Sequence, residues 1–163
     1  MLRILALAGG VAGAASLSQF PEFSQQYLQR LAGQVDALTL VVAEFDATAA
    51  ANGLTRDAAL QEVKGSAFLD DRRDDLTRAF ARQSRLADNL TALRAATPLQ
   101  RLTMPQRLAD PETLQATWAD FRPAVPVTLD GGICALAGYL GGWLTTAGLL
   151  ALLAAPFRRR RPA

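Results

Sequence analysis

The 163-residue chain has no histidine, one cysteine and one lysine. Lack of histidine removes the commonest general base and the commonest metal ligand together. Ser24, Ser66 and Ser84 therefore have no imidazole to activate them. Lys64 ends the stretch Glu62-Val63-Lys64-Gly65, where a cation suits the negative end of a helix. Cys134 lies inside a hydrophobic run, so no intramolecular disulfide can form and a lone thiol has no second ligand. It reads as a small apolar group within lipid or a helix interface. Phosphate-binding glycine loops are missing too, because Gly9-Gly10 and Gly131-Gly132 both border hydrophobic runs. Nowhere does a period-2 alternation suggest a strand. The expectation is a non-catalytic chain with no cofactor and no metal.

Charge is scarce at the two ends and abundant between them. Residues 19–130 hold 12 Lys and Arg against all 15 Asp and Glu, a net of −3, while the flanks hold five arginines and no acid. The overall +2 is thus a property of the ends. A nucleic-acid partner would call for a basic face on the folded region, and none is expected. The densest cluster is Asp70-Asp71-Arg72-Arg73-Asp74-Asp75. Interleaved arginines and the lack of a glycine-bearing loop favour ion pairing along a solvated helix over a cation site. Arginine outnumbers lysine 16 to 1, a usage that suggests a GC-rich bacterial genome.

The dominant feature is the run Gly131–Phe157, which contains no charged residue and leads directly into Arg158, Arg159, Arg160 and Arg161. About 20 apolar residues suffice for a helix to cross a bilayer. A helix also satisfies every backbone polar group internally. The four arginines hold that end on the cytoplasmic side and can bind anionic lipid headgroups. Residues 1–18 hold one arginine, Arg3, and then apolar or small residues, and Gln19-Phe20 could extend them into the interfacial zone. They fit a signal peptide with a small-residue site at Ala12-Gly13-Ala14, or an uncleaved anchor. The weakly basic start and Gly9-x-x-x-Gly13 favour the anchor. Gly138-x-x-x-Gly142, with Gly141, Thr145 and Gly148 nearby, offers a matching face on the last helix. Antiparallel pairing of the two helices competes with the general abundance of glycine in membrane helices. Tyr139 and Trp143 fall well inside the run, which suits contact with a partner helix.

Between the spans, Pro21 and Glu22 suit the first turn of a helix. Tyr27, Leu31, Val35, Leu38, Val42, Phe45 and Ala49 recur at spacings of 3 and 4, a helical seam that Asn52-Gly53 ends. Thr55 can cap a short helix to about Lys64, and Gly65-Ser66 breaks the chain. A second long helix, about 67–96, has the stripe Leu76, Ala79, Gln83, Leu86, Leu90 and Leu93 with Phe80 alongside. Gln83 can fix register or lie at a solvent edge. Asp110-Pro111-Glu112 opens a helix to about Phe121, with Trp118 and Phe121 expected to close one end of a bundle. Residues 122–126 form an extended connector.

Two stretches carry a resemblance. They are Phe20-Pro21-Glu22-Phe23-Ser24-Gln25-Gln26-Tyr27-Leu28-Gln29-Arg30-Leu31-Ala32-Gly33, continuing to Asp36, and Trp118-x-x-Phe121-x-Pro123-Ala124-x-Pro126. Together they resemble a domain-of-unknown-function family of short proteobacterial inner-membrane proteins. The resemblance covers nearly the whole chain and implies two spans, but no activity or site residues. The expected fold is an all-α membrane protein: a transmembrane helix at 1–19, a periplasmic helical hairpin or bundle at 20–130, a second span at 131–157 and a cytoplasmic tail at 158–163. The expected role is an accessory or scaffold subunit of a larger inner-membrane complex. It would dock on other membrane subunits, or on itself, through Gly9, Gly13, Gly138, Tyr139, Gly142 and Trp143. The alternatives are a homo-oligomeric membrane organiser and a periplasmic ligand-binding module with a pocket of Phe45, Phe80, Trp118 and Phe121.

Overall fold

The computed structural model describes residues 2–158, with side chains as far as 154. Every regular element among them is helical: α1 Leu2–Leu17, α2 Phe20–Ala51, α3 Arg56–Glu62, α4 Ala67–Ala95, α5 Pro98–Arg101, a 3₁₀ turn Pro105–Leu108, α6 Pro111–Asp120 and α7 Leu129–Arg158. Two helical stretches, Leu2–Ala51 and Leu129–Ala154, include windows long and apolar enough to cross a membrane. At 1.5 Å per residue, the second reaches about 39 Å against a hydrocarbon core of about 30 Å. With 16 residues, α1 alone falls short of that thickness. It reaches span length only with the first turn of α2, across the bend at Ser18-Gln19.

Local chemistry explains most helix ends. Thr55 accepts from the Ala58 N–H and Ser66 from the Leu69 N–H, both at 3.3 Å, so each caps the helix that follows it. Gly53 and Gly65 take positive φ values of 70° and 111°, where a side chain would be strained. α7 begins two residues earlier than the apolar run, because the Thr128 hydroxyl accepts from the Gly131 N–H at 3.1 Å. Asp130 therefore lies in its first turn, where an acid is favoured.

The described chain forms two compact units. The first runs through Gln25 and takes in Pro98–Thr103 and everything described from Asp120 onward; the second is Gln26–Thr97 with Met104–Ala119. In the second unit α4 lies antiparallel to α2. The Phe45 and Phe80 rings meet edge-on at 5.1 Å, and Gln83 Nε2 donates to Thr39 Oγ1 at 3.1 Å one step further along. Tyr27, Leu31, Val35, Val42 and Ala49 are buried along α2, as are Phe80, Leu86, Leu90 and Leu93 along α4. The seams at spacings of 3 and 4 are thus the buried faces, and Gln83 bridges the two helices.

Trp118 departs from expectation. It is 73% exposed, while Thr113 and Thr117 form the buried face of α6. One turn of helix explains the swap, since 113 and 117 share a face that 118 leaves by about 100°. Phe121 instead pairs edge-on with Phe23 at 5.5 Å within the first unit. The Phe45–Phe80 pair thus belongs to the second unit and the Phe23–Phe121 pair to the first.

Candidate functional site

In the first unit α1 lies against α7 in antiparallel order. The contacts are backbone on backbone. A Cβ on Gly13 would overlap the carbonyl oxygen of Gly138, and one on Gly138 would overlap that of Gly13. A Cβ on Gly142 would strike the Gly9 carbonyl oxygen and approach the Gly13 Cα to 3.3 Å. Only hydrogen in place of a side chain allows this approach, and the return is dispersion contact along both backbones. Cys134 and Gly10 are buried, and the Tyr139 ring lies over Gly10, where a Cβ would come within 2.8 Å of it.

The expected residues thus separate. Gly9, Gly13, Gly138 and Gly142 come together within one chain, and Tyr139 joins them. Trp143 points away and is 41% exposed, alongside exposed Leu136, Leu140 and Leu144. Gly141, Thr145 and Gly148 lie outside the α1 contact, and both glycines face open space. Residues 138, 142 and 146 recur every four positions, whereas 141, 145 and 148 occupy the neighbouring face. Thr146, which the sequence reading passed over, is the residue that meets Gly9. Arg159, Arg160 and Arg161 lie outside the described residues, and so does the side chain of Arg158.

Two polar clusters were not foreseen. In the second unit, Asp110 Oδ2 accepts from the Thr113 N–H at 3.2 Å, the Thr113 hydroxyl at 2.8 Å and Arg82 Nη2 at 3.1 Å. The Asp110 N–H donates to the Tyr27 hydroxyl at 3.3 Å, and Arg82 also pairs with Glu112 at 2.6 Å. Burial alone would raise the Asp110 pKa, but the bonds from Thr113 and Arg82 outweigh it and hold the carboxyl below its usual range. Burial likewise opposes the Arg82 charge, and the two carboxylates more than compensate. In the first unit, buried Arg101 donates to Gln25 Oε1 at 3.3 Å and to Ser24 Oγ at 3.5 Å; its burial lowers its pKa. The Ser24 hydroxyl donates to the Pro21 carbonyl at 2.9 Å, a structural bond. Asp-Pro-Glu-Thr signalled the α6 cap, but Arg82 and Tyr27 lie 28 and 83 residues from Asp110, beyond any local pattern.

The Asp70–Asp75 cluster is a set of ion pairs: Arg73 with Asp70 at 3.2 Å, and Arg78 and Arg72 with Asp75 at 2.6 and 3.7 Å. Among the described residues, no three His, Cys, Asp or Glu side chains are grouped to hold a metal ion.

A family model for proteins of unknown function, DUF2937, matches residues 1–159. The chain belongs to the DUF2937 family. No curated protein and no solved structure matches it. For this DUF2937 chain, the functional reading rests on its own geometry: a glycine-seamed helix pair and a second helical unit braced through Asp110.

Proposed function

We propose that this protein is a non-catalytic accessory or scaffold subunit of a larger bacterial inner-membrane assembly. Both termini are cytoplasmic, and the helical region 20–130, with its antiparallel α2 and α4, is periplasmic. The arginines at 158–161 fix that orientation and bind anionic lipid headgroups. The observation that carries this reading is the face of α7 opposite α1, where Leu136, Leu140, Trp143 and Leu144 are all exposed. Gly9, Gly13, Gly138 and Gly142 already serve the pairing of α1 with α7, which leaves Gly141 and Gly148 as the open glycines of α7 beside this apolar face. A tryptophan deep in a span is far from the interfacial belts that usually favour it, and a partner helix is the remaining environment that suits it. Docking therefore falls to Trp143 and its leucine neighbours, and not to Gly9, Gly13, Gly138, Gly142 or Tyr139.

The test is purification of the C-terminally tagged chain in mild detergent, with mass spectrometry of what accompanies it. A stoichiometric set of larger membrane subunits, lost on Trp143→Ala, supports the accessory role. Recovery of the chain alone, as a defined oligomer, would transfer support to a homo-oligomeric membrane organiser.

A further inference from the structure

The glycine contacts of α1 with α7 fix a register that extends past the glycines themselves. Gly13 lies between Gly138 and Gly142, and Gly9 between Gly142 and Thr146. Carried on towards the start of α1, the same antiparallel order brings Arg3 level with about position 150 of α7. Arg158 lies about eight residues further along α7, or about 12 Å of helix. The cations at this end of the pair therefore stand at different depths. Arg3 is exposed and has no hydrogen-bond or ion-pair partner among the described residues. Neither helix can supply one nearby, since residues 1–21 and 131–163 contain no acid. Glu22 and Asp130 line a groove at the opposite end of the pair.

We propose that Arg3 seats the helix pair in the bilayer by binding phospholipid phosphate, with the cytoplasmic edge of the hydrocarbon core at about position 150 of α7. The proposal rests on the two-span reading. Length selects the seat. From Asp130 to the level of Arg3 is about 20 residues, or about 30 Å, the thickness of a typical hydrocarbon core. Ionised side chains thus bracket one core thickness, Asp130 at one edge and Arg3 at the other. The uncharged run of α7 is longer, about 40 Å, and allows a second seat with Arg158 at the edge. That seat holds Arg3 about 12 Å inside hydrocarbon, where neither helix offers a carboxylate and no water replaces one. Tilting the pair reduces this depth without removing it. At the first seat the Arg3 guanidinium instead meets phosphate oxygens, which it can bind through two parallel hydrogen bonds. Residues 151–157 then cross the headgroup layer, and Arg158 reaches its aqueous side.

The experiment uses the full chain, with Cys134→Ser, in vesicles of dioleoyl phosphatidylcholine and phosphatidylglycerol. A spin label is placed at Leu153→Cys or, separately, at Leu144→Cys, where the native side chains are 70 and 61% exposed. Relaxation by a water-soluble nickel chelate reads each label's contact with water. The label at 153 should be at least about tenfold more accessible than the label at 144, because water is excluded from the hydrocarbon core. Equal shielding of both labels would overturn the proposal and leave the two spans intact. A label at 144 open to the chelate would overturn the two-span reading and the proposal together. Arg3→Gln should let the pair slide and shield the label at 153 by about tenfold, whereas Arg3→Lys should keep it accessible. Unchanged access in Arg3→Gln would show that Arg3 does not set the depth. Vesicles of uncharged, phosphate-free galactolipid should shield the label at 153 in the Arg3 chain as Arg3→Gln does. Unchanged access there would overturn the phosphate contact, and recovery on adding inorganic phosphate would reassign it to the free anion.

Discussion

Asp110 is the residue whose loss the second unit should tolerate least. It caps α6, receives the Thr113 hydroxyl and neutralises Arg82, with its own side chain almost wholly buried. Removing a cap costs about 1 kcal/mol, and breaking a buried charge pair adds more because the partner is left uncompensated. Glu112 remains beside Arg82 and softens the second effect. We expect Asp110→Ala to lower stability by about 2–3 kcal/mol, and Asp110→Asn, which keeps a capping oxygen, by about half that. The pH dependence follows from the lowered carboxyl pKa. A depressed folded-state value stabilises the fold fully above the unfolded value of about 3.9, and the effect is lost as pH falls through the folded value. The gap between the native chain and Asp110→Asn should hold level from about pH 7 to 5 and narrow below about pH 4. Trp118 fluorescence during urea unfolding, in a Trp143→Phe background, reads it. A gap of constant size at every pH would show that Asp110 acts through its shape and not its charge.

Among the elements, α1 and α7 make the most specific statement about register. Gly13 opposes Gly138, Gly142 lies between Gly9 and Gly13, and the Leu17 Cβ lies 2.8 Å from where a Cβ on Gly138 would stand; the same antiparallel order extended by one turn sets position 17 opposite position 134. Leu17→Cys should therefore form a disulfide with the native Cys134 on mild oxidation, seen as a mobility shift on a non-reducing gel. Adding Gly13→Leu should suppress it at least about tenfold, because the leucine must displace the Gly138 carbonyl and separate the backbones. A disulfide that survives Gly13→Leu would show that the register is held elsewhere. Much of this element was legible in advance, since Gly-x-x-x-Gly spacing depends only on the helical repeat. The caps at Thr55 and the glycines 53 and 65 were legible for the same reason: they answer to neighbours within a turn. The exposure of Trp118, the seat of Arg101 under Ser24 and Gln25, and the bond from Asp110 to Tyr27 were not. Each is set by residues distant in the chain, and size or polarity at one position does not encode where a distant helix will lie. Fine phase failed in the same way at Thr145 and Thr146. The composition of α7 shows a small-residue face, but one position, or about 100° of rotation, decides which threonine meets Gly9.

At the scale of the whole molecule, the proposed orientation rests on the charge distribution. The middle region carries a net of −3, but long domains cross a membrane largely regardless of their charge. On the proposed two-span reading, orientation would be set by the short flanks, which hold Arg3 at one end and Arg158 to Arg161 at the other. Translocating an arginine costs about 2.5–3.5 kcal/mol at the centre of a helix, so four together form a barrier that a single Arg3 cannot match. The expected topology has both termini inside, with Ser84, exposed on α4, on the far side. A Ser84→Cys chain with Cys134→Ser should react with a membrane-impermeant maleimide in cells whose outer membrane has been made permeable. Converting Arg158–Arg161 to glutamine should leave a mixed population, with labelling before lysis reduced by about half, because only Arg3 then biases insertion. Protection of the native-tail chain until the inner membrane is lysed would place residues 20–130 in the cytoplasm. The exposed side of Trp143 proposed for docking would remain within the bilayer, but any partner of the second unit would then be cytoplasmic.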